Sequence, residues 1–160
     1  MNLADIGPVV LIGAGKMGLA LARGWIAGGL PPSQLVLVDV VASEASQRFA
    51  DEHGIRFLRS PIGVLTQVMV LAVKPQMLPQ VMHEVAPTVG RHTLVISIAA
   101  GISLETISAG LNCNRVIRAM PNTPAQVGKG ITGAVGIGVN AEDTEVATAL
   151  LGAAGQLLWF

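Results

Sequence analysis

Val9-Val10-Leu11-Ile12-Gly13-Ala14-Gly15-Lys16-Met17-Gly18 is the stretch on which the fold turns. Four consecutive apolar residues suit a strand buried on both faces. Three glycines spaced Gly-x-Gly-x-x-Gly follow at once, and residues of helical period begin at Met17. Each glycine has a physical reason: Gly13 permits a tight turn, Gly15 lets the backbone approach a pyrophosphate, and Gly18 allows a helix to pack closely on a strand. The helix N-terminus behind them offers unpaired N–H donors and a partial positive charge to an anion. In a chain with 19 glycines such a pattern alone is weak. Its context strengthens it, because Asp39 ends a second strand 21 positions after Gly18, where a carboxylate would meet a ribose hydroxyl. Strand, turn, helix, strand and acid together predict a dinucleotide-binding site. Its first candidate residues are Ile12, Gly13, Ala14, Gly15, Lys16, Met17, Gly18 and Asp39. No Gly-Lys-Ser/Thr stands at the spacing of a nucleoside-triphosphatase phosphate loop.

Outward from that motif, short β-rich runs alternate with segments of helical period, the pattern of βαβ units and a parallel sheet. Strands are expected at Val9 to Ile12, Leu35 to Val38, Val68 to Val73, Leu94 to Ile98 and Val116 to Arg118, with a weaker pair near Ile131 to Val139 and Leu157 to Trp159. Helices are expected near Met17 to Ala27, Ser43 to His53, Met77 to Ala86, Ser103 to Leu111 and Glu142 to Gly152. Ser43 and Ser103 are placed as capping acceptors, and Asn140 precedes the acidic first turn of Glu142 and Asp143. Gly28-Gly29-Leu30-Pro31-Pro32 stops the first helix.

The chain has 160 residues, 51% of them hydrophobic and only 12% charged. That composition is about half as charged as an ordinary soluble domain, which excludes disorder and a coiled coil. Ten Lys and Arg balance ten Asp and Glu, with no basic cluster and no Tyr, so nucleic acid is not an expected partner. The apolar stretches are too short and glycine-rich for a membrane span. The first residues lack the basic and apolar segments of a signal peptide, and the single cysteine cannot form an internal disulfide. The cytoplasm is the expected compartment. So few polar residues leave surface to be covered by another domain or subunit. The apolar end, Leu157-Leu158-Trp159-Phe160, predicts that the sequence stops where a further segment would begin.

Three more segments fall at predicted strand ends, where open α/β sheets place their ligands. They are Ala72-Val73-Lys74-Pro75, Ser97-Ile98-Ala99-Ala100-Gly101 and Arg118-Ala119-Met120-Pro121-Asn122-Thr123-Pro124-Ala125. Small residues at Ala99, Ala100 and Gly101 would let a flat ring lie close to the backbone, and the prolines would stiffen the loops. Taken together they predict one crevice.

With these segments in this order, the sequence resembles the N-terminal domain of pyrroline-5-carboxylate reductase over essentially its whole length. The resemblance implies an α/β, Rossmann-like, doubly wound and mostly parallel sheet, with residues 1–160 forming one NAD(P)-binding domain. It further implies hydride transfer from a nicotinamide cofactor to the cyclic imine 1-pyrroline-5-carboxylate, giving L-proline. By the same resemblance the Gly13 to Gly18 loop holds the pyrophosphate, Ala72 to Pro75 line the ribose and nicotinamide half, and Ala99 with its neighbours borders the nicotinamide. Lys74 and Asn122 are the polar candidates near the reacting centre, and no catalytic acid, base or metal is assigned. Members of the family carry an all-helical C-terminal domain that builds the dimer and most of the imine pocket. That domain is absent from this chain, so the chain alone is expected to be inactive and the longer protein to be a homo-oligomer. Lys16 departs from the Asn or Gln common between those glycines.

NAD(H) and NADP(H) are both possible cofactors, and NAD(H) is favoured. Asp39 would accept hydrogen bonds from a ribose 2′-OH and repel a phosphate in its place. No Arg or Lys occurs between Asp39 and Gln47, and Arg48 lies far along the helix. His53, His83 and His92 are isolated, without metal-ligand spacing; Cys113 has no partner, and Met69, Met77, Met82 and Met120 are expected to be packing residues. Two other functions remain open: a two-domain dehydrogenase of the hydroxyacid or 6-phosphogluconate type, and a non-enzymatic dinucleotide-binding module.

Overall fold

The computed structural model describes residues 1–121 and 131–160. Eight strands form one sheet in the order β3-β2-β1-β4-β5-β6-β7-β8. They are β1 (Val9–Ile12), β2 (Leu35–Val38), β3 (Arg56–Leu58), β4 (Val68–Leu71), β5 (Leu94–Ser97), β6 (Val116–Pro121), β7 (Ile131–Ile137) and β8 (Gln156–Trp159). All neighbours run parallel except β6 and β7. The helices are α1 (Lys16–Ala27), α2 (Glu44–His53), α3 (Leu78–Val85), α4 (Leu104–Leu111) and α5 (Ala141–Leu151).

Every residue of β1, β2, β4 and β5 up to its last is buried, as continuous apolar runs require when both faces are covered. Alternate residues feed two cores. Val9, Leu11, Leu35 and Leu37 pack with Leu21 and Trp25 of α1, Phe49 of α2 and Leu150 of α5. Val10, Ile12, Val36 and Val38 face the opposite layer, with Leu78 and Met82 of α3 and Ile107 of α4. The sheet is therefore doubly wound, as expected. Trp25 also donates from Nε1 to the Leu150 carbonyl at 2.8 Å, tying α1 to α5.

The expected caps form. Ser43 accepts from Ser46 N–H at 3.1 Å and Ser103 from Thr106 N–H at 3.2 Å. At α5 the cap is reciprocal, with Asn140 accepting from Asp143 N–H at 2.8 Å and Asp143 accepting from Asn140 N–H at 3.1 Å. Both weaker strands exist. In β8 Leu157 and Trp159 pack against the first core, whereas Leu158, and Phe160 just after the strand, are exposed.

Three features depart from the sequence reading. Strand β3 is new: three residues with partly exposed side chains on the sheet's edge show no apolar run. Strand β4 ends at Leu71 rather than Val73, and a single turn of 3-10 helix, Pro75–Met77, precedes α3. Strand β6 runs past Arg118 to Pro121 because β7 returns antiparallel and extends its ladder.

Arg115, just before β6, meets Asp143 with two hydrogen bonds, Nε to Oδ2 at 3.1 Å and Nη2 to Oδ1. Burial pushes the Asp143 carboxyl up, but the Arg115 guanidinium and the Asn140 N–H outweigh it and hold the group below the usual carboxylate range. The hydrogen bond to Asp143 raises the Arg115 guanidinium in turn. A carboxyl lowered by folding contributes stability fully present above the unfolded value near pH 4 and lost as pH falls through the folded one. Asp143→Ala should therefore cost roughly 2–4 kcal/mol in urea unfolding at neutral pH, from a lost cap partner and an unpaired guanidinium. The deficit relative to the unmodified chain should shrink below about pH 4.

Candidate dinucleotide-binding site

The strand order reverses between β1 and β4. Loops leaving their C-terminal ends turn in opposite directions there, opening a crevice at the sheet's edge. The three glycines serve it in three distinct ways. Gly13 has φ +102°, and a Cβ on it would lie 2.8 Å from the Ala72 carbonyl oxygen, so the β1 and β4 exits meet backbone to backbone. A Cβ on Gly18 would lie 2.1 Å from the Gly13 carbonyl oxygen, so α1 sits directly against the turn. Gly15 differs: its φ of −77° suits any residue, and a Cβ there would have nothing within 4 Å. Neither backbone nor packing requires glycine at 15. What glycine leaves is open space in front of the helix.

That helix start is also unusual chemically. Side chains cap α2, α4 and α5, and α3 continues from the 3-10 turn before it without a side-chain cap, whereas α1 starts from an exposed loop with Gly15 at its N-cap and no side-chain hydrogen bond. Its first-turn N–H groups are left for an external anion. The open position at Gly15 and the uncapped helix fit a pyrophosphate.

Asp39 is half-buried at the end of β2. Its Oδ2 accepts from Ala14 N–H at 2.9 Å and its Oδ1 from Val41 N–H at 3.0 Å. The carboxylate thus ties the glycine loop to the second strand, across 25 residues. Each oxygen keeps a lone pair for a further donor.

A cleft of about 230 Å³ brings together Ile12, Gly13, Gly15, Asp39, Ala72, Val73 and Lys74 of the expected residues. The others lie outside its wall. Ala14 is buried behind the loop, and Gly18 beneath it. Lys16 and Met17 are exposed on the first turn of α1, and Pro75 is half-buried where the 3-10 turn begins. Past β5, Ala99 is buried while Ala100 and Gly101 are exposed beyond the strand's C-terminal end. Asn122 lies outside the described residues.

Besides Val38 and Val40, which flank Asp39, two groups of lining residues were not expected. Arg59, Ser60 and Pro61 enter from the end of β3, and Met77, Val81, Glu84 and Val85 from α3 and the turn before it. The α3 set was detectable, because offsets of four, seven and eight residues from Met77 define one helix face, directly after Lys74-Pro75. Met77 is correspondingly 46% exposed rather than a packing residue, and Met120 in β6 is likewise exposed, whereas Met69 and Met82 are core. The β3 set carried no comparable signal. Among the described residues no three His, Cys, Asp or Glu side chains are placed to hold a metal, and none of the helices is long and apolar enough to cross a membrane.

Comparison with known proteins agrees with this geometry. A family profile described as NADP oxidoreductase, coenzyme F420-dependent, matches residues 8–101. The chain is similar to pyrroline-5-carboxylate reductase of Glycine max, 34% identical over 149 residues that are 91% of this chain and 54% of the relative. It is likewise similar to that of Pseudomonas aeruginosa, 37% identical over 155 residues, 94% of this chain and 56% of the relative. The structure of a pyrroline-5-carboxylate reductase from Coxiella burnetii superposes with a TM-score of 0.88 at 28% identity, covering 98% of this chain and 59% of that one. The chain therefore spans little more than half the length of these relatives. By the profile match over most of its dinucleotide fold, the chain belongs to the NADP oxidoreductase, coenzyme F420-dependent, family, as an NAD(P)-binding domain similar to the N-terminal part of pyrroline-5-carboxylate reductases.

Proposed function

We propose that this chain is the cofactor-binding part of an enzyme that reduces 1-pyrroline-5-carboxylate to L-proline with a reduced nicotinamide dinucleotide. The observation that carries the reading is the open space at Gly15 in front of the uncapped helix α1, at the switch point of the sheet. Similarity to the Glycine max and Pseudomonas aeruginosa reductases supplies the reaction.

In this reading the backbone from Gly13 to Gly18 cradles the pyrophosphate, with Lys16 free to reach it from the first turn. Ala72, Val73, Lys74 and Pro75 line the ribose and nicotinamide half, and Ala99, Ala100 and Gly101 present a flat, small-residue floor to the ring. Asn122 orders its loop or the substrate. The bound cofactor supplies hydride from nicotinamide C4. A protonated pyrroline is already an electrophile, so the protein's work is to align the rings and exclude water. The imine's carboxylate is held by the portion that the relatives carry beyond the match, and that portion assembles the homo-oligomer.

Asp39 favours NAD(H), since its carboxylate is fixed where a 2′-phosphate would approach. Asp39→Asn keeps an acceptor for Ala14 N–H but removes the charge, and should shift the ratio of NADH to NADPH affinity toward NADPH by about tenfold or more. Parallel calorimetric titrations at one ionic strength measure it.

The reaction itself is tested in a chimera in which this chain replaces the matched part of the Pseudomonas aeruginosa relative. NAD(P)H oxidation that depends on 1-pyrroline-5-carboxylate is expected; activity toward a 2-hydroxy acid instead would sink the reading. The unfused chain should turn over far more slowly than the usual enzyme range of about 1–10³ per second. Turnover within that range would show its own residues to complete the imine pocket.

A further inference from the structure

Arg59 leaves β3 beside Asp39, and a ligand at that end of the cleft meets both. The register pairs Val38 with Leu58, and Asp39 N–H donates to the Leu58 carbonyl at 3.1 Å. The two chains therefore exit side by side, about 4.8 Å apart, and both side chains line the cleft.

Their charges are not spent on each other. The ion pairs among the described residues are Arg48 with Glu44 and Arg115 with Asp143. Asp39 is held by the Ala14 and Val41 N–H groups. Arg59 is exposed, with its guanidinium uncommitted among the described residues. Arg48, the basic residue nearest in sequence to the β2 end, is bonded to Glu44 at 2.9 Å. Lys74 enters from β4, three places from β3 in the sheet. Next to Arg59, Ser60 Oγ accepts from Ile62 N–H at 3.2 Å, which leaves its own O–H to donate.

We propose that Arg59 is a specificity-determining residue for the nucleotide: it offsets Asp39 and admits a phosphate on the adenosine ribose, so that NADP(H) is taken as well as NAD(H). The proposal rests on the dinucleotide-binding reading. A guanidinium is suited to this task because its planar fork pairs bidentately with phosphate oxygens. Beside a carboxylate fixed by backbone donors, discrimination between the two cofactors becomes the difference of two opposing charges. Neither charge has to move.

The test is calorimetric titration of the unmodified chain, Arg59→Met and Arg59→Lys with NADH and NADPH at two salt concentrations. Arg59→Met should shift the affinity ratio toward NADH by about tenfold or more, the worth of a lost charge-assisted hydrogen bond. Arg59→Lys should restore part of it. NADPH binding to the unmodified chain should fall more steeply with salt than NADH binding, and Arg59→Met should remove that difference. An unchanged ratio, or equal weakening of both cofactors, overturns the proposal. NADH binding without any NADPH binding to the unmodified chain overturns it while leaving the dinucleotide reading intact, whereas failure of both cofactors overturns the two together.

Discussion

Gly15→Val is expected to abolish binding of both NADH and NADPH in a chain that folds as before. The position has φ −77°, and a Cβ there would meet nothing within 4 Å, so the new side chain enters space that no protein atom uses. Stability should fall by about 1 kcal/mol, the cost of a poorer helix N-cap, which leaves the chain folded. The same side chain would stand between a pyrophosphate and the first-turn N–H groups of α1. Losing roughly two charge-assisted hydrogen bonds, each worth about 1.5–3 kcal/mol, corresponds to a loss of affinity of about a hundredfold and upward. Calorimetry and a thermal melt on the same sample decide the matter. Undiminished affinity in a folded variant would remove the glycine loop from the site.

Gly18→Ala should do the reverse, damaging the fold before it damages any contact with a ligand. Its Cβ would fall 2.1 Å from the Gly13 carbonyl oxygen and 3.2 Å from its carbon, and both are backbone atoms without a rotamer to escape into. Either α1 lifts from the turn or the Gly13 peptide rotates, and Gly13 is itself pinned by its N–H donating to Val38 O at 2.8 Å. Overpacking of this kind costs about 3 kcal/mol or more, near 10 °C of melting temperature at roughly 2–4 °C per kcal/mol for a domain of this size. A thermal melt of Gly18→Ala within a degree or two of the unmodified chain would show that the turn has slack the structure does not display. The pair of variants would separate the two functions proposed for one motif, with the exposed glycine leaving room for a ligand and the buried one allowing close packing.

Much of this was legible in the chain because the signals are local. A run such as Val9 to Ile12 has no polar face and must be covered on both sides. Ser43, Ser103 and Asn140 lie one residue before their helices and cap them by bonds of three residues' span. The roles of Gly13 and Gly18 follow from φ and from the size of a hydrogen atom, and both match the observed contacts, while at Gly15 the structure shows open space.

What the sequence by itself determined is thus the alternation of buried strands and helices, the glycine loop between the first of each, and the acid that ends the second strand. The tertiary structure alone decided that Asp39 reaches back to Ala14, that Arg59 stands beside it, and that β7 returns antiparallel. The first group depends on neighbours within a few positions, where covalent geometry and hydrophobic period act directly. The second depends on register between segments tens of residues apart. A three-residue edge strand such as β3, with an exposed arginine at its start and too short to show a period, acquires its place only when β2 offers it a ladder.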